Sequence, residues 1–198
     1  MQPDYTHSEY KSKARAENIK AYKSIVGDKI PPDRSYWCLC NEQPVDDGSE
    51  ICQLIQSGLI KKSQFHGVDR DEDIIVKNRV WHSEASWYAG EWVDVIESVS
   101  FKPSFVYLDS TSFADNRIIM NMVVPTMMMC PVGTVLFVNA LLNDPRSSKK
   151  FLEDKIIKNM PKKLPPFEFD KWDYEIPNYD YSATGKTFLR TYIFHKRG

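Results

Sequence analysis

Short apolar runs separated by segments of helical periodicity recur along this 198-residue chain, and that alternation limits the fold more than any other feature. Ser35 to Cys40 (SYWCLC), Gln64 to Asp69 (QFHGVD), Ser104 to Leu108 (SFVYL) and Gly133 to Leu141 (GTVLFVNAL) read as buried strands bounded by turn formers. Glu91 to Ile96 reads as a further short strand, third in order. Between the strands, Ser49 to Ile60 sets Ile51, Leu54, Ile55 and Leu59 on one helical face with Ser49 as its cap. Asp71 to Trp81 is a helix with acids at its positive end, and Phe113 to Met129 and Ser148 to Met160 complete the series. Continuously apolar strands need cover on both faces, so strand followed by helix predicts a parallel sheet with right-handed crossovers.

The two ends depart from this alternation. Tyr10 to Ile25 is an amphipathic helix that stops at Gly27 before Pro31 and Pro32, so residues 1–34 read as an N-terminal helical extension and 35–198 as the domain. Phe167 to Tyr181 and Thr187 to His195 are aromatic-rich and separated by a short polar turn, which predicts an antiparallel hairpin. The expected class is α/β, with a doubly wound, mainly parallel seven-stranded sheet closed by that hairpin.

Composition removes several functions. A net charge of −1 lacks the broad basic footprint of a nucleic-acid binder, although it leaves room for a local basic patch and names no partner. The apolar stretch from Ile118 to Leu142 is broken by Asn121, Pro125, Pro131 and Gly133, so no membrane partner is expected where a span needs about 20 apolar residues. Four scattered cysteines, with no cleavable apolar segment after the polar start, predict free thiols in a reducing cytoplasm. Cys38 and Cys40 lack a second ligand pair at zinc spacing, so no structural metal is predicted. There is no G-x-S-x-G, P-loop or H-E-x-x-H signature for hydrolase or NTPase chemistry.

Aspartates end the second and fourth strands, where a carboxylate at the carboxyl edge of a parallel strand can accept hydroxyl bonds in the ligand crevice. With Gly67-Val68-Asp69, Arg70 and the helix running to Asn78, then Gly90-Glu91 before Trp92, then Tyr107-Leu108-Asp109, the chain resembles the Rossmann-like class I S-adenosylmethionine-dependent methyltransferases. The resemblance covers nearly everything after the first helix. It implies S-adenosylmethionine as cofactor, held around Asn41, Asp69, Arg70, Glu91 and Trp92. Asp69 would bond the ribose and Glu91 the adenine amino group, while Asp109 would lie beside donor and acceptor as the candidate catalytic residue. The chain departs from the family after its first strand, where Cys40-Asn41-Glu42-Gln43-Pro44 replaces a glycine-rich loop and no glycine comes before Gly48.

Each of these residues also has a structural reading, since strand-end aspartates cap helices and Glu91 can be a solvated acid. His66 reads as a satisfied strand histidine, and His82 as a surface residue beyond a helix. The methionines Met120, Met122, Met127, Met128 and Met129 read as core filler, or else as the lining of an adaptable apolar interface, and the lysines from Lys149 to Lys163 as a solvated helix face, with a nucleic-acid groove as the alternative. Two functions follow: a methyltransferase whose acceptor is RNA, a protein or a small molecule, or a cofactor-free scaffold of the same fold that binds a protein or nucleic acid. LDST at 108–111 lacks the prolines and aromatic of the N/D-P-P-Y/F pattern for amino methylation of duplex DNA, although Trp87, Tyr88 and Trp92 could supply a stacking surface.

Overall fold

The sequence Tyr36-Trp37-Cys38-Leu39 sends alternate side chains to opposite faces of a strand, and both sets are apolar, so this strand must lie inside a sheet covered on two sides. The computed structural model describes residues 9–46, 48–113, 119–141, 170–175, 180–182 and 188–198. Among them, the first half of the chain runs α1 (Glu9–Val26), β1 (Ser35–Leu39), α2 (Glu50–Gln56), β2 (Phe65–Asp69), α3 (Glu72–Trp81), β3 (Ser86–Ala89) and α4 (Trp92–Ser98). The second half runs β4 (Pro103–Phe113), a π-helical turn (Ile119–Val123) leading into α5 (Val124–Met129), β5 (Val135–Leu141), β6 (Trp172–Glu175), β7 (Asp180–Ser182) and β8 (Phe188–Lys196).

The strands form one sheet in the order β3-β2-β1-β4-β5-β8-β6, with β7 also pairing to β8. Strands β1 to β5 are parallel neighbours, whereas β8 runs antiparallel to β5, β6 and β7. The sheet thus has seven positions, the last shared by β6 and β7 as successive pieces along one edge of β8. This is the doubly wound, mainly parallel architecture with a C-terminal antiparallel hairpin.

One face is packed by α1, α2 and α3 through Tyr22, Ile51, Leu54 and Ile75 against Tyr36, Phe65, Phe105 and Phe137. The other face is packed by α4 and α5 through Trp92, Ile96, Val124 and Met127 against Trp37, Val106, Leu108 and Leu136. Fully burying each large apolar side chain contributes about 1.5–3 kcal/mol. Helix α1 completes the first face: Tyr22 stacks flat on Phe105 with centroids 4.9 Å apart, and its hydroxyl shares a hydrogen bond with that of Ser104 at 2.7 Å. At the far side the buried ammonium of Lys196 donates to the carbonyls of Met127 and Cys130, closing the negative end of α5.

Three sequence expectations are corrected. The third strand is Ser86–Ala89, and Glu91 to Ile96 belongs to the start of α4, because Trp92, Val95 and Ile96 recur at helical spacing and are all buried. Strand β4 continues through Phe113, so the following helical segment is described only from Ile119. His82 is buried at the C-cap of α3, not on the surface. Of the methionines, Met127 is fully buried and Met128 is exposed. The expected helix from Ser148 to Met160, with its lysines, lies outside the described residues.

Gly67 is required by close approach. It pairs with Trp87 on β3, whose ring lies across it, and a Cβ there would stand 2.6 Å from that ring and 3.0 Å from the Cys40 sulfur. Gly67→Ala is expected to lower stability by about 1–3 kcal/mol through overpacking, measured by urea unfolding. A change under about 0.5 kcal/mol, the size of an ordinary surface substitution, would contradict this packing.

Candidate active site

The strand order reverses at β1, which has β2 on one side and β4 on the other, and a crevice opens beyond the carboxyl ends of strands at such a reversal. Asp69 closes β2, Gly90 and Glu91 follow β3, and Asp109 lies in the outer part of β4 beside Asn139 of β5. On the β2–β3 side the structure brings Asp69, Gly90 and Glu91 together with Arg70. Asp69 Oδ1 accepts from the Asp71 amide at 2.9 Å, the Gly90 amide donates to the Asp69 carbonyl at 2.9 Å, and Arg70 meets Glu91 at 3.7 Å. Burial pushes the Asp69 carboxyl above its usual range, as befits a group half withdrawn into a crevice. Arg70 and Glu91 are well exposed, so their ion pair contributes little to stability.

On the β4–β5 side, Asp109 Oδ1 accepts from Asn139 Nδ2 at 3.2 Å, and the same amide nitrogen donates to the Tyr107 hydroxyl at 2.7 Å. Trp92, next to Glu91 at the head of α4, has its ring buried in the core. It is 3% exposed, its indole N–H donates to Thr126 Oγ1 at 2.8 Å, and its ring packs edge-on to Trp37 and Phe101. Trp87 is equally buried and donates to the His82 carbonyl, while Tyr88 stacks on Trp37, so these three rings serve the core. His66 stacks on Trp37 with centroids 4.3 Å apart and shares a hydrogen bond with the Tyr88 hydroxyl at 3.1 Å, and burial lowers its pKa to about 4.

The loop after β1 is built from side chains where a glycine loop would use bare backbone. The Gln43 side-chain oxygen accepts from the amides of Glu50 and Ile51 at 2.9 and 3.3 Å, and Ser49 caps the Cys52 amide, so the first turn of α2 is satisfied internally. The Gln43 backbone is clasped by α3: its amide donates to Asn78 Oδ1 at 2.8 Å, and its carbonyl accepts from His82 Nε2 at 2.8 Å. Asn78 also donates to the Asn41 carbonyl at 3.0 Å, and Glu42 pairs with Lys77 of α3. These contacts draw the loop toward α2 and α3. Asn41 is exposed, while the Glu42 side chain is engaged by Lys77 of α3 and the Gln43 side chain by the amides of α2.

Beneath the loop lies a buried ion pair that the sequence did not announce. Arg15 of α1 approaches Glu50 at 3.5 Å and donates to the Gly48 carbonyl at 3.0 Å, and the Tyr36 hydroxyl donates to Glu50. Burial pushes the Glu50 carboxyl up, against the opposing pull of Arg15 and Tyr36. Burial also works against the Arg15 charge, but Glu50, Tyr107 and Asp109 outweigh it and hold the guanidinium protonated. A small hollow lined by Arg15, Glu50, Tyr36, Tyr107 and Leu54 sits beside this pair. Burial likewise raises the thiols of Cys38 and Cys40, which keeps them protonated and inert.

No family model and no curated protein matches the chain. Solved structures do. The plantazolicin methyltransferase BpumL in complex with SAH aligns over 98% of this chain and 88% of its own, with TM-score 0.59 and 13% identity. The Methanococcus jannaschii fibrillarin pre-rRNA processing protein aligns over 96% and 78%, with TM-score 0.56 and 11% identity. Precorrin-6y C5,15-methyltransferase from Geobacter metallireducens aligns over 94% and 87%, again with TM-score 0.56 and 11% identity. This is the class I methyltransferase fold. Within that fold, Asp69, Glu91 and Asp109 lie just beyond or near the carboxyl ends of β2, β3 and β4, on either side of β1.

Removing one partner of the buried pair leaves a lone charge. Arg15→Met is expected to destabilise the protein by about 3–5 kcal/mol near neutral pH. In that variant the folded-state pKa of Glu50 rises further above its unfolded value, so the folded protein takes up a proton first and the deficit narrows as pH falls. Denaturant unfolding of both proteins across the acidic range tests this, and a deficit that stays constant or widens on acidification would contradict it.

Proposed function

We propose that this protein is an S-adenosylmethionine-dependent methyltransferase. The observation that carries the reading is the pair of aspartates flanking the sheet reversal, Asp69 half-buried at the end of β2 and Asp109 on β4. The donor set fits a nucleoside cofactor. Asp69 offers a partly desolvated carboxylate to vicinal hydroxyls, Gly90 turns the chain away at φ +144° directly beside it, and Glu91 stands exposed at the head of α4. Asn41 and Arg70, in the loops after β1 and β2, would complete the lining of that site.

S-adenosylmethionine, when bound, supplies an already activated methyl group, so the protein's share is alignment and exclusion of water. Asp69 would hold the ribose, Glu91 the adenine edge, and Asp109 would orient or deprotonate the acceptor. The outward clasp of the first loop by Asn78 and His82 supports access to the crevice despite the missing glycines. A second reading, a cofactor-free scaffold on the same fold, draws support from the internally capped first turn of α2, where Gln43 takes the amides a ligand would otherwise find.

Calorimetric titration separates the two. The wild-type protein is expected to bind S-adenosylmethionine or S-adenosylhomocysteine, Asp69→Ala to bind at least about tenfold more weakly, and Asp109→Asn to bind within about threefold of wild type. Labelled methyl donor offered with separate pools of RNA, protein and small molecules should label one of them through the wild type and not through Asp109→Asn. Label in exocyclic amines of duplex DNA would contradict the absence of a base platform after Asp109. No heat and no thermal shift at about millimolar cofactor would overturn the enzyme reading in favour of the scaffold.

A further inference from the structure

Strand β5 presents Val135, Leu136, Phe137 and Val138 to the core and then, still fully buried, Asn139. A buried amide is costly unless each of its groups is hydrogen-bonded, and this one is bonded at both ends. Its nitrogen donates to the Tyr107 hydroxyl at 2.7 Å and to Asp109 Oδ1 at 3.2 Å, while its oxygen accepts from Thr191 Oγ1 at 2.8 Å. Register explains the meeting. Asp109, Asn139 and Thr191 are direct partners across β4, β5 and β8, and Tyr107 lies two residues before Asp109 on the same face. We propose that Asn139, backed by Thr191, is a positioning residue of the site, holding the Asp109 carboxylate and the Tyr107 hydroxyl in fixed relation at the outer end of the sheet.

The orientation of the amide is what makes this a functional device. Were it reversed, its oxygen would face a carboxylate oxygen and neither could donate, so the charge on Asp109 selects the observed orientation and Thr191 completes it. A leucine at this position would fill the strand without any polar cost, but would take the Asn139 donor away from Asp109. The proposal rests on the reading of Asp109 as the group that meets the acceptor, and it adds the residues that aim that group.

The test reads the Asn139 side-chain amide in ¹⁵N-labelled full-length protein at about neutral pH, its resonances assigned by their loss in Asn139→Leu. The two amide protons are expected to exchange slowly with solvent in the wild type, at least about tenfold faster in Asp109→Ser, and faster also in Thr191→Val, where the amide can turn. Amide protons that exchange as an exposed amide does in the wild type, or identically without Asp109, would overturn the proposal. The same samples are then mixed with S-adenosylhomocysteine. Binding by a protein whose amide is insensitive to Asp109 would defeat the positioning role alone, whereas a sensitive amide without binding would defeat the methyltransferase reading and leave the Asn139–Asp109 coupling standing.

Discussion

Everything in this structure depends on where β1 can be satisfied. Its side chains are apolar on both faces, and Trp37, fully buried, touches the rings of His66, Tyr88, Trp92 and Phe101 while Tyr36 and Cys38 face α1 and α2. Such a strand is stable only at the centre of a sheet, paired on both edges and covered by helices on both faces. The chain winds outward from it twice, through β2 and β3 in one direction and through β4 and β5 in the other. The crevice between the two windings is a geometric consequence, and the acids at Asp69 and Asp109 stand on its two banks.

A fold of this kind ordinarily brings a ligand close to backbone after the first strand. Here the same position is a clasp of side chains: Gln43 caps α2, Asn78 and His82 hold the Gln43 backbone, and the Arg15–Glu50 pair ties α1 beneath. The exchange replaces conformational freedom at glycines with a set of buried hydrogen bonds that are stable only when complete. It also makes α1 a structural participant in the site, since its guanidinium offsets the buried Glu50 charge directly under the loop. Removing α1 would therefore disturb more than the packing of Tyr22.

The strands with continuous apolar character, β1, β2, β4 and β5, were legible because their burial on both faces leaves little ambiguity of type. Ser86–Ala89 was not. It is a four-residue edge strand, and the neighbouring Glu91 to Ile96 looks as apolar although Trp92, Val95 and Ile96 carry the helical spacing that decides it. Asp69 was readable as a strand-end acid, whereas Asp109, read the same way, lies inside β4, which runs on to Phe113. Gln43, His82, Arg15 and Glu50 were not readable, because their roles come from partners far along the chain, such as the carbonyl 39 residues away that meets His82. Asn139 left a signal, a lone amide in an apolar strand, whose meaning needed the register that sets it opposite Asp109.

The central claim is that the crevice at the β1 reversal holds a nucleoside cofactor while the side-chain clasp stays in place. A crystal structure of the protein with S-adenosylhomocysteine tests it most directly. The account predicts ribose hydroxyls on the Asp69 carboxylate, the adenine next to Glu91, and both hydrogen bonds of the Gln43 backbone, to Asn78 and from His82, intact. Ligand bound elsewhere, or bound over the strand ends only after the clasp has opened and Gln43 has left α2, would contradict it.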